Sequence, residues 1–227
     1  MKTVLSPEVF AALRSVDSPT LSNAIEEFRV RELTAGFTGS RVRCLFPELG
    51  VTLGYAVTAQ VDSTSPGPRQ IGLGLRQLAE LVDASPKPVV LVYQDIGPRP
   101  GGAAFFGEFA ARLLMRIGAV GLVTDGAIRD VNEVRALGFP YFAAGATVSH
   151  GNPRLVRVGV PVVVDGLYVE PGDLIHADVN GVMSVPLDIA ARLPAQVEQV
   201  RALEREAFHF IQSPSFTLDA ALKRMGH

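Results

Sequence analysis

A chain of 227 residues, 48% hydrophobic and 19% charged, suits one compact α/β domain or two small lobes, with an ample core. Its net charge of -2 and its lack of tryptophan give neither the basic footprint nor the stacking platforms of a nucleic-acid binder. A single cysteine, Cys44, rules out an internal disulfide, no apolar run reaches membrane-spanning length, and MKTVLSPEVF has no signal-peptide core; a cytoplasmic protein that engages no membrane and no nucleic acid is expected.

Ser6-Pro7-Glu8 reads as an N-cap, an N1 proline and an acidic first turn, opening a short helix to about Arg14. Ser18-Pro19-Thr20 repeats the signal, with Leu21, Ala24, Ile25 and Phe28 as the apolar face. Residues 41–46 and 55–61 read as strands, and 62–69 as a loop rich in Ser, Pro and Gly. Helical spacing returns over 71–82, with Leu75, Leu78, Ala79 and Val82 inward. A β-branched strand at 89–93 leads into a glycine-rich loop. Helical spacing over 105–117 follows (Phe106, Phe109, Leu113, Leu114, Ile117), ended by Gly118, and then a buried strand at 119–124. This is a β-α-β unit, whose crossover is right-handed in nearly all proteins. Residues 98–107 and 125–130 then both follow parallel strands, at the sheet edge where open α/β folds bind ligands. A short helix over 130–137 is closed by Gly138, and 141–144 is another strand.

From Val156 to Pro186 the pattern changes to strands at 160–164, 174–177 and 182–185, with a turn at Glu170-Pro171-Gly172-Asp173, so a β-rich layer packs beside the α/β part. Residues 187–211 form an amphipathic helix that can restart at Pro194, with Glu198, Arg201, Glu204 and Arg205 on its polar face. A last short helix spans 218–225. The whole of 1–227 is expected to be one domain with a helical tail from about residue 187.

Two readings compete for each charged residue of the central unit. Asp130 with Glu133 three residues on matches a capping box, and Arg129 can pair locally. The same Asp130, at the mouth of a crevice, can hold a magnesium ion that keeps most of its waters, with Glu133 reaching a metal-bound water. Arg129 can then grip a substrate carboxylate or enolate oxygen. Glu108 is a first-turn glutamate favoured by the helix dipole. Alternatively, the backbone N–H groups of Gly107, Glu108, Phe109 and Ala110 form a carboxylate site, and Glu108 holds a proton-donating water. GPRPGG is neither GxGxxG nor a Walker motif, so no nucleotide site is read from it. His150, His176 and His209 lack metal-ligand spacing, His176 and Asp178 share a strand face in a structural or subunit-contact role, and Cys44 sits in apolar core. The three lysines, Lys2, Lys87 and Lys223, include no desolvated Schiff-base amine, so carbon–carbon chemistry here calls for a metal as Lewis acid.

The segment GEFAARLLMRIGAVGLVTDGAIRDVNEV resembles the central motif of the RraA-like family, which includes class II 4-hydroxy-4-methyl-2-oxoglutarate/4-carboxy-4-hydroxy-2-oxoadipate aldolases. An acid, twenty residues, Arg-Asp, two residues and a second acid are met by Glu108, Arg129-Asp130 and Glu133. SPTLSNAIEEF and PGDLIHADVNGVMSVP are similar to the family's N-terminal helix and C-terminal strand pair, so the resemblance runs from about Ser18 to Arg205. It implies a three-layer α/β/β sandwich and homotrimers or homohexamers with active sites at subunit interfaces. It also implies magnesium or manganese at Asp130, Arg129 on a small 2-oxo acid, and the amides of 107–110 on the substrate carboxylate. The implied reaction is retro-aldol cleavage releasing pyruvate, accompanied by oxaloacetate decarboxylation. The family's other branch, protein regulators that bind ribonuclease E, typically lacks the second acid, which is present here as Glu133.

Overall fold

A computed structural model describes residues 4–67 and 72–224; Lys2, Arg69, Ile71 and Met225, which enter the readings above, lie outside the described residues. In chain order the elements are α1 (Pro7–Arg14), α2 (Ser18–Glu26), β1 (Arg43–Cys44), β2 (Thr52–Asp62), α3 (Gly72–Ala84), β3 (Val89–Asp95), β4 (Ala104–Phe106), α4 (Glu108–Met115), β5 (Ala119–Ile128) and α5 (Val131–Ala136). There follow β6 (Tyr141–Ala146), β7 (Arg154–Val158), β8 (Val162–Val164), β9 (Leu167–Val169), β10 (Leu174–Asp178), β11 (Gly181–Val185), α6 (Leu193–Gln212) and α7 (Leu218–Arg224).

One nine-stranded sheet runs β1-β6-β5-β3-β2-β10-β11, with β4 beside β5 and β7 beside β2; β8 and β9 form a separate hairpin. Its centre, β2, β3, β5 and β6, is parallel, and the flanking β1, β7, β10 and β11 pair antiparallel. Period-two alternation assigns the faces. Val57, Ala59 and Val61 of β2, Leu91 and Tyr93 of β3, and Leu122 and Ile128 of β5 are buried in one core with α3–α5 residues such as Leu78, Leu114 and Val134. Farther along that face, Leu53, Tyr55, Leu174, Met183 and Val185 meet Leu21, Ile25, Leu193 and Val197 of the terminal helices. The intervening residues, Ala56, Val90, Val92, Val123 and Phe142, are covered by the β8–β9 hairpin through Val162, Val164, Leu167 and Val169. Helices, large sheet and small hairpin therefore stack as the expected α/β/β layers.

Several boundaries differ from the sequence reading. β1 is two residues long rather than spanning 41–46, because the amides of Arg41 and Val42 turn away to donate to Asp165 Oδ2 at 2.9 and 3.1 Å. α2 is capped by Asp17, whose Oδ1 accepts from Thr20 N at 3.0 Å, while Ser18 donates its N–H and hydroxyl to Asp178, each at 2.7 Å. The helix expected over 105–117 is divided. Ala104–Phe106 becomes β4, Gly107 is the extended N-cap, and α4 begins at Glu108. That shift rotates the buried stripe to Ala111 and Leu114, leaving Phe109 75% and Leu113 37% exposed. α6 starts at Leu193 rather than 187: Pro194 has no N–H to continue a preceding helix, and 187–192 form turns. Strands β7 and β9 were not anticipated as separate elements.

Candidate active site

The β-α-β crossover brings two loops together, and β4 sets their register. β4 lies parallel to β5, with Phe106 opposite Ile128, and Arg129 N donates to Phe106 O at 3.0 Å. Gly107–Glu108, after β4, and Arg129–Asp130, after β5, therefore emerge side by side at the carboxyl edge of the sheet. Phe106 anchors this floor, with Phe139 stacked on it at 5.9 Å and Tyr93 and Tyr141 set edge-on at 6.0 and 5.9 Å.

Asp130 does not cap its own helix. Its backbone is left-handed (φ 55°, ψ 45°), and its side chain makes no capping bond to α5. Asp tolerates this region better than most residues, yet such backbone tends to cluster where function holds it. The conformation turns the carboxylate across the crevice, where Oδ2 accepts from Glu108 N at 2.9 Å and lies 3.5 Å from Arg129 Nε. The Arg129 and Asp130 side chains are 39% and 33% exposed, so both reach the solvent-filled mouth. Gly107 makes the approach possible: a Cβ there would stand 2.4 Å from Asp130 Oδ2 and 3.1 Å from Arg129 Cγ.

The other sequence candidates fall around this pair. Glu108 lines the crevice, and its Oε1 accepts from Arg112 at 2.7 and 2.8 Å along the helix surface. Phe109 and Ala110, in the first turn of α4, have amides with no intrahelical acceptor and also line the crevice. Glu133 is exposed on α5, one turn from Asp130. His176 is fully buried with Nε2 2.9 Å from Val16 O, a structural placement, and Cys44 is half-buried in β1 with its thiol pushed up by burial.

The crevice has a volume of about 390 Å³ and a second, apolar wall. Leu75 and Leu78 of α3, Phe105 of β4, and Pro153 and Leu155 at β7 line it, together with His150. The sequence placed Leu75 and Leu78 on an inward face, but nothing in it showed that β7 would fold back along β2 to meet them. Nearby, the Asp95 carboxylate accepts from Gly97 N and Gly101 N at 3.0 and 2.8 Å and holds the loop after β3. Asp125 accepts from Asp95 N at 2.8 Å; burial, then the charge of Asp95, pushes its carboxyl up to about 6.

As a cation site the crevice offers the Asp130 carboxylate, the Glu108 carboxylate being held by Arg112. Among the described residues no group of three His, Cys, Asp or Glu side chains is arranged to hold a metal. A single, partly exposed carboxylate in a space that a Cβ would fill fits a hard divalent ion that keeps most of its waters.

Residues 18–184 match the family described as RraA-like, Aldolase/RraA. The chain belongs to the RraA-like family. Among its relatives, a Halalkalibacterium halodurans protein provisionally named 4-hydroxy-4-methyl-2-oxoglutarate aldolase is 29% identical over 178 residues, covering 77% of this chain and 79% of that protein. An uncharacterised Pseudomonas syringae protein of known structure superposes with a TM-score of 0.75 at 26% identity, over 100% of this chain and 97% of that one. Streptomyces coelicolor RraAS2, described as an unusual member of the RNase ES inhibitor RraA protein family, gives a TM-score of 0.72 at 26% identity over 90% and 98%. The RraA-like fold thus accounts for the sheet, the hairpin and the helical layer together. Among the described residues no helix is long and apolar enough to cross a membrane.

Proposed function

We infer that this crevice is the active site of a divalent-metal-dependent lyase that cleaves a 4-hydroxy-2-oxo acid to release pyruvate and also decarboxylates oxaloacetate. The observation that carries the reading is the convergence of Arg129 and Asp130 with the N-terminus of α4: Asp130 Oδ2 lies 2.9 Å from Glu108 N and 3.5 Å from Arg129 Nε. The aldolase name carried by the Halalkalibacterium relative agrees with it.

Asp130 would hold magnesium or manganese, with Glu133 reaching it through water; when bound, the ion supplies Lewis-acid polarisation of the 2-oxo group. The first-turn amides of Phe109 and Ala110, at the positive end of the helix dipole, orient the substrate carboxylate. Arg129 sets its guanidinium against the 2-oxo oxygen, where negative charge grows as the pyruvate enolate forms, and stabilises that charge without having to reorganise. Glu108, fixed by Arg112, orients a water that returns a proton to the enolate carbon. We infer a homotrimer or homohexamer with these crevices at its interfaces, to be checked by light scattering.

The test is pyruvate release from oxaloacetate and from 4-hydroxy-4-methyl-2-oxoglutarate. Turnover is expected with magnesium or manganese and is lost on chelation. Arg129→Ala and Asp130→Ala should each lower kcat/KM by about a hundredfold or more. A protein inert across such substrates with either metal is not this lyase. The likeness to Streptomyces coelicolor RraAS2 favours one other reading, a non-catalytic regulator of a ribonuclease. Inhibition of ribonuclease E by an inert protein would establish it.

A further inference from the structure

Of the titratable side chains that line the crevice among the described residues, Glu108, Arg129 and Asp130 have a part in the reading above and His150 has none. His150 is carried by the loop after β6. That strand runs parallel to β5, so its loop leaves at the same carboxyl edge as Arg129 and Asp130. The backbone of the loop is tied to the two strands that present the rest of the site. Thr147 N donates to Ile128 O at 2.9 Å, one residue before Arg129, and Ala104 N, at the start of β4, donates to Ser149 O at 2.8 Å. Beyond His150, Gly151 N donates to Ser149 Oγ at 3.0 Å and Asn152 N to Ser63 O at 2.8 Å. Gly151 is left-handed (φ 54°), and a Cβ there would clash with Ser63 O. The imidazole is thus held at the crevice by bonds on both sides of it in the chain. Its own orientation is set as well: Nδ1 lies 2.7 Å from Gly151 O. A carbonyl oxygen only accepts, so Nδ1 carries the proton, and in the neutral ring Nε2 is then the basic nitrogen. The two carboxylates of the crevice are committed, Glu108 to Arg112 at 2.7 Å and Asp130 to Glu108 N at 2.9 Å.

We propose that His150 is the general base of the cleavage, its Nε2 taking the proton of the C4 hydroxyl as the C3–C4 bond breaks. The proposal rests on the lyase reading above and adds a catalytic residue to it. An imidazole fixed through one nitrogen and basic at the other is suited to this transfer. The C3–C4 electron pair passes into the pyruvate enolate, C4–O becomes the carbonyl of the second product, and the hydroxyl proton moves to Nε2. The enolate takes a proton at C3 from the water held by Glu108, and the imidazolium returns its own to the hydroxide so formed. The sum needs no oxidant or reductant. Decarboxylation of oxaloacetate reaches the same enolate by loss of carbon dioxide, with no hydroxyl proton to remove. A base at His150 therefore serves the cleavage and not the decarboxylation.

The test compares the two reactions in the full chain with magnesium. Asparagine places an N–H where Nδ1–H stands, so it keeps the bond to Gly151 O, and it has nothing in the place of Nε2. His150→Asn should lower kcat/KM for 4-hydroxy-4-methyl-2-oxoglutarate about a hundredfold or more, the range that a general base contributes, while oxaloacetate decarboxylation falls by no more than about threefold. Pyruvate affinity, measured by calorimetry, should stay within about threefold of wild type, which shows that the crevice keeps its shape. An equal fall in both rates, or a loss of pyruvate binding, makes His150 a structural residue and overturns the proposal. Cleavage within about threefold of wild type also overturns it and assigns the base to another group. So does a wild-type protein that decarboxylates oxaloacetate without cleaving the hydroxy acid. The lyase reading fails separately: wild-type protein inert on both substrates sinks that reading and this proposal with it, whereas an equal fall in the two rates sinks this proposal alone.

Discussion

Asp130 depends on its neighbour across the crevice as much as on its own backbone. The side chain that Gly107 lacks is the space that Asp130 Oδ2 approaches, since a Cβ there would come within 2.4 Å. Gly107 has φ of -157°, which any residue adopts, so alanine would introduce no backbone strain. Gly107→Ala should therefore leave the fold in place, costing about 1 kcal/mol for the weakened Asp130–Glu108 bond. It should swing the carboxylate off the rim and lower kcat/KM for oxaloacetate about a hundredfold, as misplacement by an ångström does. Wild-type turnover in this variant, with the melting temperature kept, would show that the Asp130 position is irrelevant to the chemistry. Asp125 makes the opposite kind of prediction. Its carboxyl keeps its proton to about pH 6 in the fold, against 3.8 ordinarily, so between those values the folded state binds more protons than the unfolded chain. Its contribution to stability then falls as pH rises through that window and is unfavourable above it. Asn can still accept the Asp95 N–H at this position without the charge. Asp125→Asn should raise stability at pH 7 by about 1–2 kcal/mol and by almost nothing at pH 4, measured by urea unfolding at both values.

At the scale of elements, what the sequence disclosed depended on whether a segment's neighbours are local. α1 was readable because Ser6 and Pro7 act within one turn, and Ser6 Oγ accepts from Val9 N at 3.4 Å. β3 and the core of β5 were readable because both faces of a central parallel strand are buried, leaving unbroken runs such as Val89–Val92. β4 was not. Its three residues continue a helical spacing, and only pairing with β5, which the spacing cannot encode, makes Phe106 a strand residue. The same local rule left the Asp130 carboxylate open between two readings: Asp130 and Glu133 satisfy the capping-box pattern, and only the tertiary contact to Glu108 N decides against it. The facing of Arg129–Asp130 and Gly107–Glu108 was legible from the crossover alone. The apolar wall was not, because it needs α3 and β7 to meet, and β7 reaches its place only through antiparallel pairing with β2. The C-terminal strands β10 and β11 followed from the turn residues around them, while the hairpin β8–β9 was half read: a strand over 160–164 was expected where β8 spans Val162–Val164, and Leu167–Val169 was not expected.

Across the whole molecule, one face of the sheet carries two cores that share a strand. Leu53 and Tyr55 at the start of β2 belong to the core of α1, α2 and α6, and Val57, Ala59 and Val61 farther along belong to the core beneath the crevice. A strand common to both should couple their unfolding, while local geometry at the rim depends only on the second. Val197 of α6 is 1% exposed in the first core, and Leu78 of α3 is 2% exposed in the second and also lines the crevice. Each truncation to alanine leaves a cavity, costing about 1–3 kcal/mol for Val197→Ala and about 2–5 kcal/mol for Leu78→Ala. In a chain of this size each kcal/mol lowers the melting temperature by about 2–4 °C. Both variants should melt in a single transition, because β2 cannot unfold in one core and persist in the other. Their activities should part: Val197→Ala keeps wild-type kcat/KM for oxaloacetate at 25 °C, and Leu78→Ala lowers it several-fold by opening the lining of the crevice. A two-step melt in either variant would mean that β2 does not bind the halves into one unit. A loss of turnover in Val197→Ala at a temperature where it is fully folded would mean that the remote core shapes the rim after all.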